Sequence, residues 1–259
     1  MIKPGEILEQ VYERLILRQC RHIPEHIAII QDGNRRFAKD KGIDVALGHK
    51  MGAKKTNMVL EWGREIGIRH ITLYCFSTEN FNRSEYEQKE LFTLFADTAT
   101  DILEDKRIHE DRVRFQMVGD KDLVPEELLK KIETVEEATR HYDNFTINFA
   151  LAYGGRNEIL LATRSILKDI ENGVLRPEDI TEDLINAHLY HGMNIPPVDL
   201  IIRTGNDKRT SNFLPWLANG NESAVYFCAP YWPVFRKIDL LRGIRVFSNR
   251  VENSNSYLP

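Results

Sequence analysis

The sequence predicts an α/β fold: a single domain with a six-stranded, mostly parallel sheet flanked by helices. Short apolar segments rich in β-branched residues alternate with longer amphipathic segments along all 259 residues, which is the pattern of strand–helix units. No Ser-, Gly- or Pro-rich tract and no internal repeat divides the chain, and α/β chains of about 250 residues are often single domains. We therefore expect one domain over residues 1–259.

Six short apolar runs are predicted as strands, and the amphipathic segments between them as helices. The strands are expected at residues 27–30, 71–76, 113–118, 145–151, 199–203 and 224–227. The helices are expected at residues 7–20 of the N-terminal segment 1–20, at 48–66, 84–103, 125–139, 155–170 and 184–190, near Asn212, and in the C-terminal segment 236–259. Ser84 and Glu87 have the spacing of a capping box and begin a long helix.

Charge and cysteine content narrow the class of protein. The net charge of −4 gives no bulk basic field, so nucleic acid is not an expected partner. The three cysteines lie far apart and lack metal-ligand spacing, which indicates a reducing compartment and argues against a zinc site. No apolar run reaches the roughly 18 residues of a membrane span, and no signal peptide is recognisable. We expect a soluble, cytoplasmic protein.

The most informative stretch is the first strand with the sequence Asp32-Gly33-Asn34-Arg35-Arg36 that follows it. Open α/β sheets bind ligands at the carboxyl ends of their strands. Gly33 allows the backbone to approach a ligand closely, and free amides at the start of a helix bind anions such as diphosphate. Asp32 adds a carboxylate of the kind that holds Mg²⁺ together with phosphate oxygens. The alternative interpretation is an ordinary Asp-Gly turn after a strand.

Polar clusters also follow the second, fourth and fifth predicted strands. In a parallel sheet these strand ends meet at one edge, which collects five arginines around Asp32. They are Arg35, Arg36, Arg83, Arg203 and Arg209. A single arginine is more often a solvated surface charge, but five at strand ends favour a site for phosphates or diphosphates, because guanidinium matches phosphate oxygens bidentately. The sequence contains neither Gly-x-x-x-x-Gly-Lys-Ser/Thr nor Gly-x-Gly-x-x-Gly, so an ordinary nucleotide site is not expected.

These motifs resemble those of the cis-prenyltransferases, the undecaprenyl and dehydrodolichyl diphosphate synthase family, from about Cys20 to Phe235. The matching motifs are His26-Ile-Ala-Ile-Ile-x-Asp-Gly-Asn-Arg-Arg, Gly48-His49-Lys50-x-Gly52, Leu73-Tyr-x-Phe-Ser-x-Glu-Asn80, Tyr153-Gly-Gly-Arg156, Asp199-Leu-Ile-Ile-Arg-Thr-Gly205, Arg209-x-Ser211-Asn-Phe-Leu and Trp232-Pro233. Arg35, where bacterial members usually have glycine, is more similar to the archaeal and eukaryotic branch. The resemblance implies a homodimer that uses Mg²⁺ to condense isopentenyl diphosphate sequentially onto an allylic diphosphate, giving Z double bonds.

The resemblance also implies a role for each candidate site residue. Asp32 and Asn80 are the catalytic candidates, and Asp32 is expected to hold Mg²⁺. The residues expected at the allylic diphosphate are Gly33, Asn34, Arg35, Arg36, His49 and Arg83. Those expected at the isopentenyl diphosphate are Arg203, Arg209 and Ser211. Taken without the resemblance, His49 is better explained by a structural role.

The chain departs from the family pattern at three places. Val45 stands where the family usually has a diphosphate-binding arginine. Asn206-Asp207 replaces the usual Gly-Gly or Ser-Gly followed by Glu, beside the isopentenyl site. The segment 217–227 is about two residues longer than the bacterial pattern, so the family's metal-linked glutamate aligns with Glu222 when counted from one end and with Ala224 when counted from the other. Glu222 is therefore a candidate metal ligand.

A growing prenyl chain needs an apolar tunnel that leads away from the diphosphates. In the family its walls come from the long helix after the second strand and from the third and fourth strands. The candidate tunnel residues are Cys75, Phe92, Phe95, Phe115 and Phe145. Phe115 and Phe145 are bulkier than the aliphatic groups that long-chain members often carry, which favours a product of short or medium length. The alternative is that both rings simply pack the core.

Several interpretations of function are left open by the sequence. The leading one is an active enzyme that makes a Z-polyprenyl diphosphate, a product expected to partition to membranes and to bring the protein to their surface. One alternative is an enzyme of the same fold with an unusual acceptor or condensation mode. Another is a non-catalytic partner subunit, although known partners tend to lack Asp-Gly-Asn and to keep an Arg-x-Gly tail, whereas this chain finishes Ser256-Tyr257-Leu258-Pro259. A phosphate-binding module with another substrate is the least favoured.

Overall fold

Six strands form the centre of the protein, which the computed structural model describes over residues 4–192, 195–218 and 223–255. The strands are β1 His26–Ile30, β2 His70–Ser77, β3 Val113–Val118, β4 Phe145–Tyr153, β5 Leu200–Arg203 and β6 Ala224–Phe227. They form one sheet in the order β3-β4-β2-β1-β5-β6, and each of its five pairings is parallel. The predicted α/β fold is confirmed, with a sheet that is parallel throughout the described chain.

Helices cover both faces of the sheet. The described helices are α1 Pro4–Gln19, α2 Asn34–Lys41, α3 Val45–Ile66, α4 Glu85–Glu104, α5 Lys106–Glu110, α6 Glu126–Thr139, α7 Gly155–Glu171, α8 Glu182–His188 and α9 Lys237–Asn255. The sequence analysis located seven of them but missed the short α5 and saw only the start of α2. None of the described helices combines the length and the apolar character needed to cross a membrane.

The helix predicted near Asn212 was wrong. Residues 211–218 form turns, with φ of 56° at Ser211 and 48° at Leu214. Two left-handed residues this close together cannot be part of a right-handed α-helix. The loop that begins after β5 therefore continues through Asn212 to residue 218, where the described segment ends.

Successive side chains along each strand point to opposite faces of the sheet, so the core has two layers. In β1, Ile27 and Ile29 belong to the larger cluster, which is packed under α4, α6 and α9. Ala28 and Ile30 belong to a smaller cluster on the opposite face, where Leu161 of α7 packs. Because both faces of β1 are covered, every residue of this strand is buried, as its continuous apolar sequence predicts.

A chain of buried polar side chains crosses four strands of the sheet. Gln116 Nε2 donates to Asn148 Oδ1 (2.7 Å), and Asn148 Nδ2 donates to Thr72 Oγ1 (2.9 Å). The Thr72 hydroxyl lies 2.7 Å from His26 Nε2, and His26 Nδ1 lies 2.8 Å from the carbonyl oxygen of Pro196. A carbonyl only accepts, so Nδ1 carries the proton and Nε2 accepts from Thr72. Burial lowers the pKa of His26 to about 4, which keeps the ring in this neutral form.

The Thr72→Val substitution tests this buried chain, because it keeps the shape of the side chain and removes the central hydroxyl. Asn148 and His26 would each lose a buried partner, and an orphaned buried group costs about 1–3 kcal/mol. We expect the free energy of unfolding to fall by about 2–4 kcal/mol in urea titrations. The control is Thr163→Val, an exposed threonine whose hydroxyl bonds only within its own helix. Equal losses in the two variants would contradict the network.

Candidate active site

The carboxyl ends of β1, β2 and β5 meet at one edge of the sheet, as the sequence analysis expected. Ile30 at the end of β1 is in register with Tyr74 on one side and with Arg203 on the other. Asp32 follows β1 by two residues, and a 3₁₀ turn over Thr78–Asn82 follows β2. The predicted site segments therefore lie side by side at this edge.

Asp32 is the junction between two of these segments. Its Oδ1 lies 3.0 Å from Arg36 Nη2 in α2, and its Oδ2 accepts from Arg203 Nη2 (2.8 Å) at the end of β5. The Arg203 side chain is 5% exposed, and that of Asp32 is 27% exposed. One carboxylate thus neutralises a buried arginine and still faces the open side of the site, where an anionic substrate with a metal ion could reach it.

Arg203 organises the loop that follows its own strand. Its Nη1 donates to the carbonyl oxygen of Arg209 (2.6 Å) and to Ser211 Oγ (2.8 Å). Its Nη2 donates to Asp207 Oδ2 (3.0 Å), and Asp207 Oδ1 accepts from Arg209 Nη1 (2.7 Å). The three residues predicted for isopentenyl diphosphate are therefore together. Asp207, which the sequence analysis treated only as a departure from the family pattern, is the carboxylate that pairs with both arginines.

Arg203 Nε and Asn34 Oδ1 are buried without a hydrogen-bond partner. A native protein rarely leaves such atoms unsatisfied unless a ligand, an ion or a water completes them. Asn34 is the first residue of α2, and the amides of that first turn have no acceptor within the helix. Arg203 Nε is a donor that a phosphate oxygen could satisfy, whereas Asn34 Oδ1 is an acceptor, lies beside Gly52 and needs a donor or a cation.

Two glycines let the backbone close around this cradle. Gly33 has a φ of 112°, and a Cβ there would lie 2.6 Å from Tyr231 Cδ1. Gly205 has a φ of 82°, and a Cβ there would lie 2.6 Å from Arg36 Nη2. The positive φ disfavours larger side chains at both positions, and at Gly33 the close contact with the Tyr231 ring and backbone excludes them as well. The two glycines thus let the start of α2, the loop after β5 and the segment around Tyr231 approach one another closely.

Glu87 collects three of the residues predicted for the allylic diphosphate. Its Oε1 lies 3.0 Å from Arg83 Nη1, 3.3 Å from His49 Nε2 and 3.6 Å from Arg35 Nε. Ser84 caps α4 by accepting from the Glu87 amide, as predicted, but the Glu87 carboxylate contacts the cations. The capping-box spacing was the signal that the sequence analysis used for Glu87, and it pointed to the wrong partner for the carboxylate; the i,i+4 spacing of Arg83 and Glu87 could have indicated the ion pair.

Asn80 lies in the 3₁₀ turn after β2, three residues before Arg83. Its Oδ1 accepts from the Ser77 amide (3.1 Å), which caps the turn. The turn leads directly into Arg83, whose amide donates to the Asn80 carbonyl oxygen (3.0 Å). Asn80 therefore fixes the backbone that presents Arg83, in addition to the catalytic role expected of it.

A cleft between α3 and α4 opens beside this cradle. Its empty volume is about 510 Å³, including the open mouth. Its lining mixes polar and apolar residues and consists of Gln31, Asn34, His49, Gly52, Ala53, Thr56, Asn57, Cys75, Leu91, Leu94, Phe95, Thr98, Phe149 and Trp232. Because the lining includes Asn34 and His49 as well as Leu91, Phe95 and Phe149, this cleft is the candidate path for a chain attached to a bound diphosphate.

The five predicted tunnel residues differ in their relation to this cleft. Cys75 and Phe95 line it. Phe92 packs against Phe76, with ring centroids 5.1 Å apart. Phe115 and Phe145 are buried in the core behind the wall; the Phe115 ring lies 5.8 Å from that of Phe149, which does line the cleft. The tunnel stays a prediction, and its structural candidates are Cys75, Phe95 and Phe149.

The fold and the site define a parallel α/β protein with two cationic loops on either side of one carboxylate. The chain matches the family model described as putative undecaprenyl diphosphate synthase over residues 30–254. It is 50% identical over 246 residues to a tritrans,polycis-undecaprenyl-diphosphate synthase (geranylgeranyl-diphosphate specific) of Methanosarcina mazei, covering 94% of this chain and 82% of that one. It is 49% identical over 246 residues to the protein of the same name from Archaeoglobus fulgidus, covering 94% and 97%.

Two solved structures share the fold. Lavandulyl diphosphate synthase from Lavandula x intermedia, in complex with dimethylallyl diphosphate, has a TM-score of 0.80 and 32% identity, covering 87% of this chain and 95% of that one. A probable undecaprenyl diphosphate synthase from Campylobacter jejuni has a TM-score of 0.70 and 30% identity, covering 88% and 97%. The chain therefore belongs to the undecaprenyl diphosphate synthase family, and its predicted class, cis-prenyltransferase, is confirmed.

The Glu87→Gln substitution tests the contacts of Glu87 with Arg35, His49 and Arg83. Burial and the neighbouring Arg83 lower the pKa of His49, whereas Glu87 raises it. Removing the negative charge should therefore lower the pKa of His49 further, which an NMR titration of its ring resonances measures. The control is Glu85→Gln, an exposed acid two residues earlier in α4. An unchanged or raised pKa of His49 in the Glu87 variant would contradict the cluster.

Proposed function

We propose that the protein uses Mg²⁺ to condense isopentenyl diphosphate onto geranylgeranyl diphosphate, and that it extends the product to a Z-polyprenyl diphosphate of undecaprenyl length. The names of the archaeal relatives support this primer and this product. The observation that carries the proposal is the position of Asp32 between Arg36 and Arg203. Diphosphates bound at the start of α2 and in the loop after β5 would then lie on either side of one carboxylate.

The arrangement of charges suits an ionising reaction. Breaking the allylic carbon–oxygen bond builds negative charge on the leaving diphosphate, and preorganised donors stabilise that charge. The groups in position to do so are the amides at the start of α2 and Arg35, Arg36 and Arg83. The groups in position to hold isopentenyl diphosphate against the nascent cation are Arg203, Arg209 and Ser211. Holding two reactants in place supplies a large part of such catalysis.

The residues at the site fit a magnesium ion that substrate phosphates complete. Mg²⁺ is usually held by one or two carboxylates plus phosphate oxygens. Asp32 and Asp207 both accept from Arg203 Nη2, at 2.8 and 3.0 Å, so the two carboxylates are neighbours. In the described ranges no cluster of three acidic, histidine or cysteine ligands exists, and Glu222 lies outside those ranges. When bound, the ion would neutralise charge that develops on the diphosphate.

The cleft between α3 and α4 is the proposed path of the prenyl chain. Asn34 and His49 at its mouth adjoin the allylic cradle, and Phe95 and Phe149 form part of its apolar wall. These rings support a product of limited length. The family also supports a homodimer, a cytoplasmic location and a hydrophobic product that draws the protein to the membrane surface.

A specific observation supports one alternative, a short primer or an unusual condensation mode. The structural relative from Lavandula was solved with dimethylallyl diphosphate and is named for a different product. A short primer or an unusual condensation mode is therefore the second candidate function. The partner-subunit alternative has less support, since the chain has Asp32, Arg203 and Ser211 in mutual contact through Arg203.

The test is a turnover assay with purified protein, Mg²⁺, labelled isopentenyl diphosphate and a panel of dimethylallyl, farnesyl and geranylgeranyl diphosphates. We expect geranylgeranyl diphosphate to be the best primer and the products to end near undecaprenyl length with Z connectivity. Asp32→Asn should lower turnover at least ~10²–10³-fold, the scale of removing a key electrostatic stabiliser. Asp97→Asn, at an exposed position of α4, should stay within about twofold of the wild type.

Three outcomes would reject the proposal. Turnover with dimethylallyl diphosphate alone would support the second candidate function. Lack of turnover with every primer would support the partner subunit. Wild-type rates in Asp32→Asn at saturating Mg²⁺ would show that the Asp32 carboxylate is not needed for the reaction.

A further inference from the structure

Asn212 joins three segments at the ligand edge of the sheet. Its carbonyl oxygen accepts from the Gly155 amide (2.9 Å), and its Oδ1 accepts from the Arg156 amide (2.9 Å), both at the start of α7. Its Nδ2 donates to Glu79 Oε1 (3.1 Å) in the 3₁₀ turn after β2. The side-chain oxygen therefore binds the start of α7, which follows β4, and the side-chain nitrogen binds the turn after β2. The backbone of Asn212 belongs to the loop after β5.

The Gly154-Gly155 pair is shaped by this junction. A Cβ on Gly154 would lie 2.6 Å from Thr78 Oγ1 and 3.0 Å from Asn212 Nδ2. A Cβ on Gly155 would lie 2.1 Å from Pro215 Cδ. The glycines thus let the start of α7 approach the loop closely, which gives this motif a physical explanation that does not require it to touch substrate.

The loop that Asn212 belongs to is strained and is held at several points, among them the Asn206 amide on the Cys228 carbonyl oxygen and the buried Phe213 ring stacked on Tyr74. Asn206, Ser211 and Leu214 all have left-handed φ, at 60°, 56° and 48°. Non-glycine residues adopt this region at a free-energy cost and stay there only when the surroundings enforce it. Arg203 holds the loop from the side of β5, through the Arg209 carbonyl oxygen and Ser211 Oγ. Asn212 holds it from the opposite side, through α7 and the turn after β2.

We propose that Asn212 is a positioning residue, which fixes the loop carrying Arg209 and Ser211 relative to the turn carrying Asn80. Asn212 follows Ser211 directly, and its partner Glu79 precedes Asn80 directly, so the Asn212–Glu79 hydrogen bond connects the two halves of the site. This inference rests on the proposed function, because it assigns these halves to the two substrates. It predicts that loss of this hydrogen bond weakens the binding of isopentenyl diphosphate more than the binding of the primer.

The test reverses the polarity of the bond. Asn212→Asp keeps an acceptor for the Arg156 amide and removes the donor to Glu79, placing two carboxylates face to face. We expect the KM for isopentenyl diphosphate to rise about tenfold, the lower end for losing a hydrogen bond to a charged group, with a change below about twofold in the KM for the primer. Glu79→Gln keeps the acceptor and should stay within about twofold of the wild type.

The double variant supplies the rescue. In Asn212→Asp with Glu79→Gln, the glutamine amide donates to the new carboxylate, so the KM for isopentenyl diphosphate should return to within about threefold of the wild type. Asn172→Asp, at the exposed C-cap of α7, controls for the added charge. If Asn212→Asp leaves both KM values unchanged, or if the double variant is no better than Asn212→Asp, the positioning role is refuted.

Hydrogen–deuterium exchange of residues 205–214 without substrate separates this inference from the proposed function. The loop amides should exchange faster in Asn212→Asp and recover in the double variant, whatever reaction the protein catalyses. Recovery of exchange without any prenyl transfer in the wild type would reject the function and retain the link. Unchanged exchange in Asn212→Asp, with normal prenyl transfer, would reject the link alone.

Discussion

The contact between Asp32 and Arg203 is the constraint on which the rest of the site depends. A buried guanidinium is costly unless its charge is paired, and Asp32 supplies that charge from the neighbouring strand end. The same carboxylate reaches Arg36, so the start of α2 and the loop after β5 share one anion. Parallel pairing of β1 with β5 makes this possible, because it brings the ends of strands far apart in sequence to the same edge.

Carboxylates keep both groups of cations in place. Glu87 pairs with Arg35 and Arg83 and also contacts the His49 ring, while Asp207 pairs with Arg203 and Arg209. Neighbouring guanidinium groups repel one another, and a shared carboxylate reduces that repulsion. The cleft between α3 and α4 starts at the first of these groups. The site thus combines charge at its mouth with an apolar interior, which suits substrates that have a diphosphate and a hydrocarbon chain.

The sequence predicted most of the fold because its strands are buried on both faces and read as continuous apolar runs. It predicted the meeting of Asp32 and Arg203 for the same reason, since parallel strands bring their carboxyl ends to one edge of the sheet. It failed where local patterns compete with tertiary contacts. Glu87 looked like part of a capping box, and the turns after Ser211 looked like a helix. Arg83 and Glu87 have the i,i+4 spacing of a local ion pair, but the contacts of Glu87 with Arg35 and His49 and the left-handed residues of that loop have no local sequence signature.

The most direct test of the account is the kcat/KM of Arg203→Lys for isopentenyl diphosphate. Lysine keeps the positive charge beside Asp32, but its one nitrogen cannot serve the four partners that the arginine fork serves. The account predicts a fall of about ten- to a hundredfold, the effect of about 1.5–3 kcal/mol of lost charge-assisted bonding. Because the same bonds also stabilise the fold, the unfolding midpoint should fall as well, and the assay is run well below that midpoint. A kcat/KM within twofold of the wild type would mean that charge alone suffices, and would contradict the central role of the Arg203 fork.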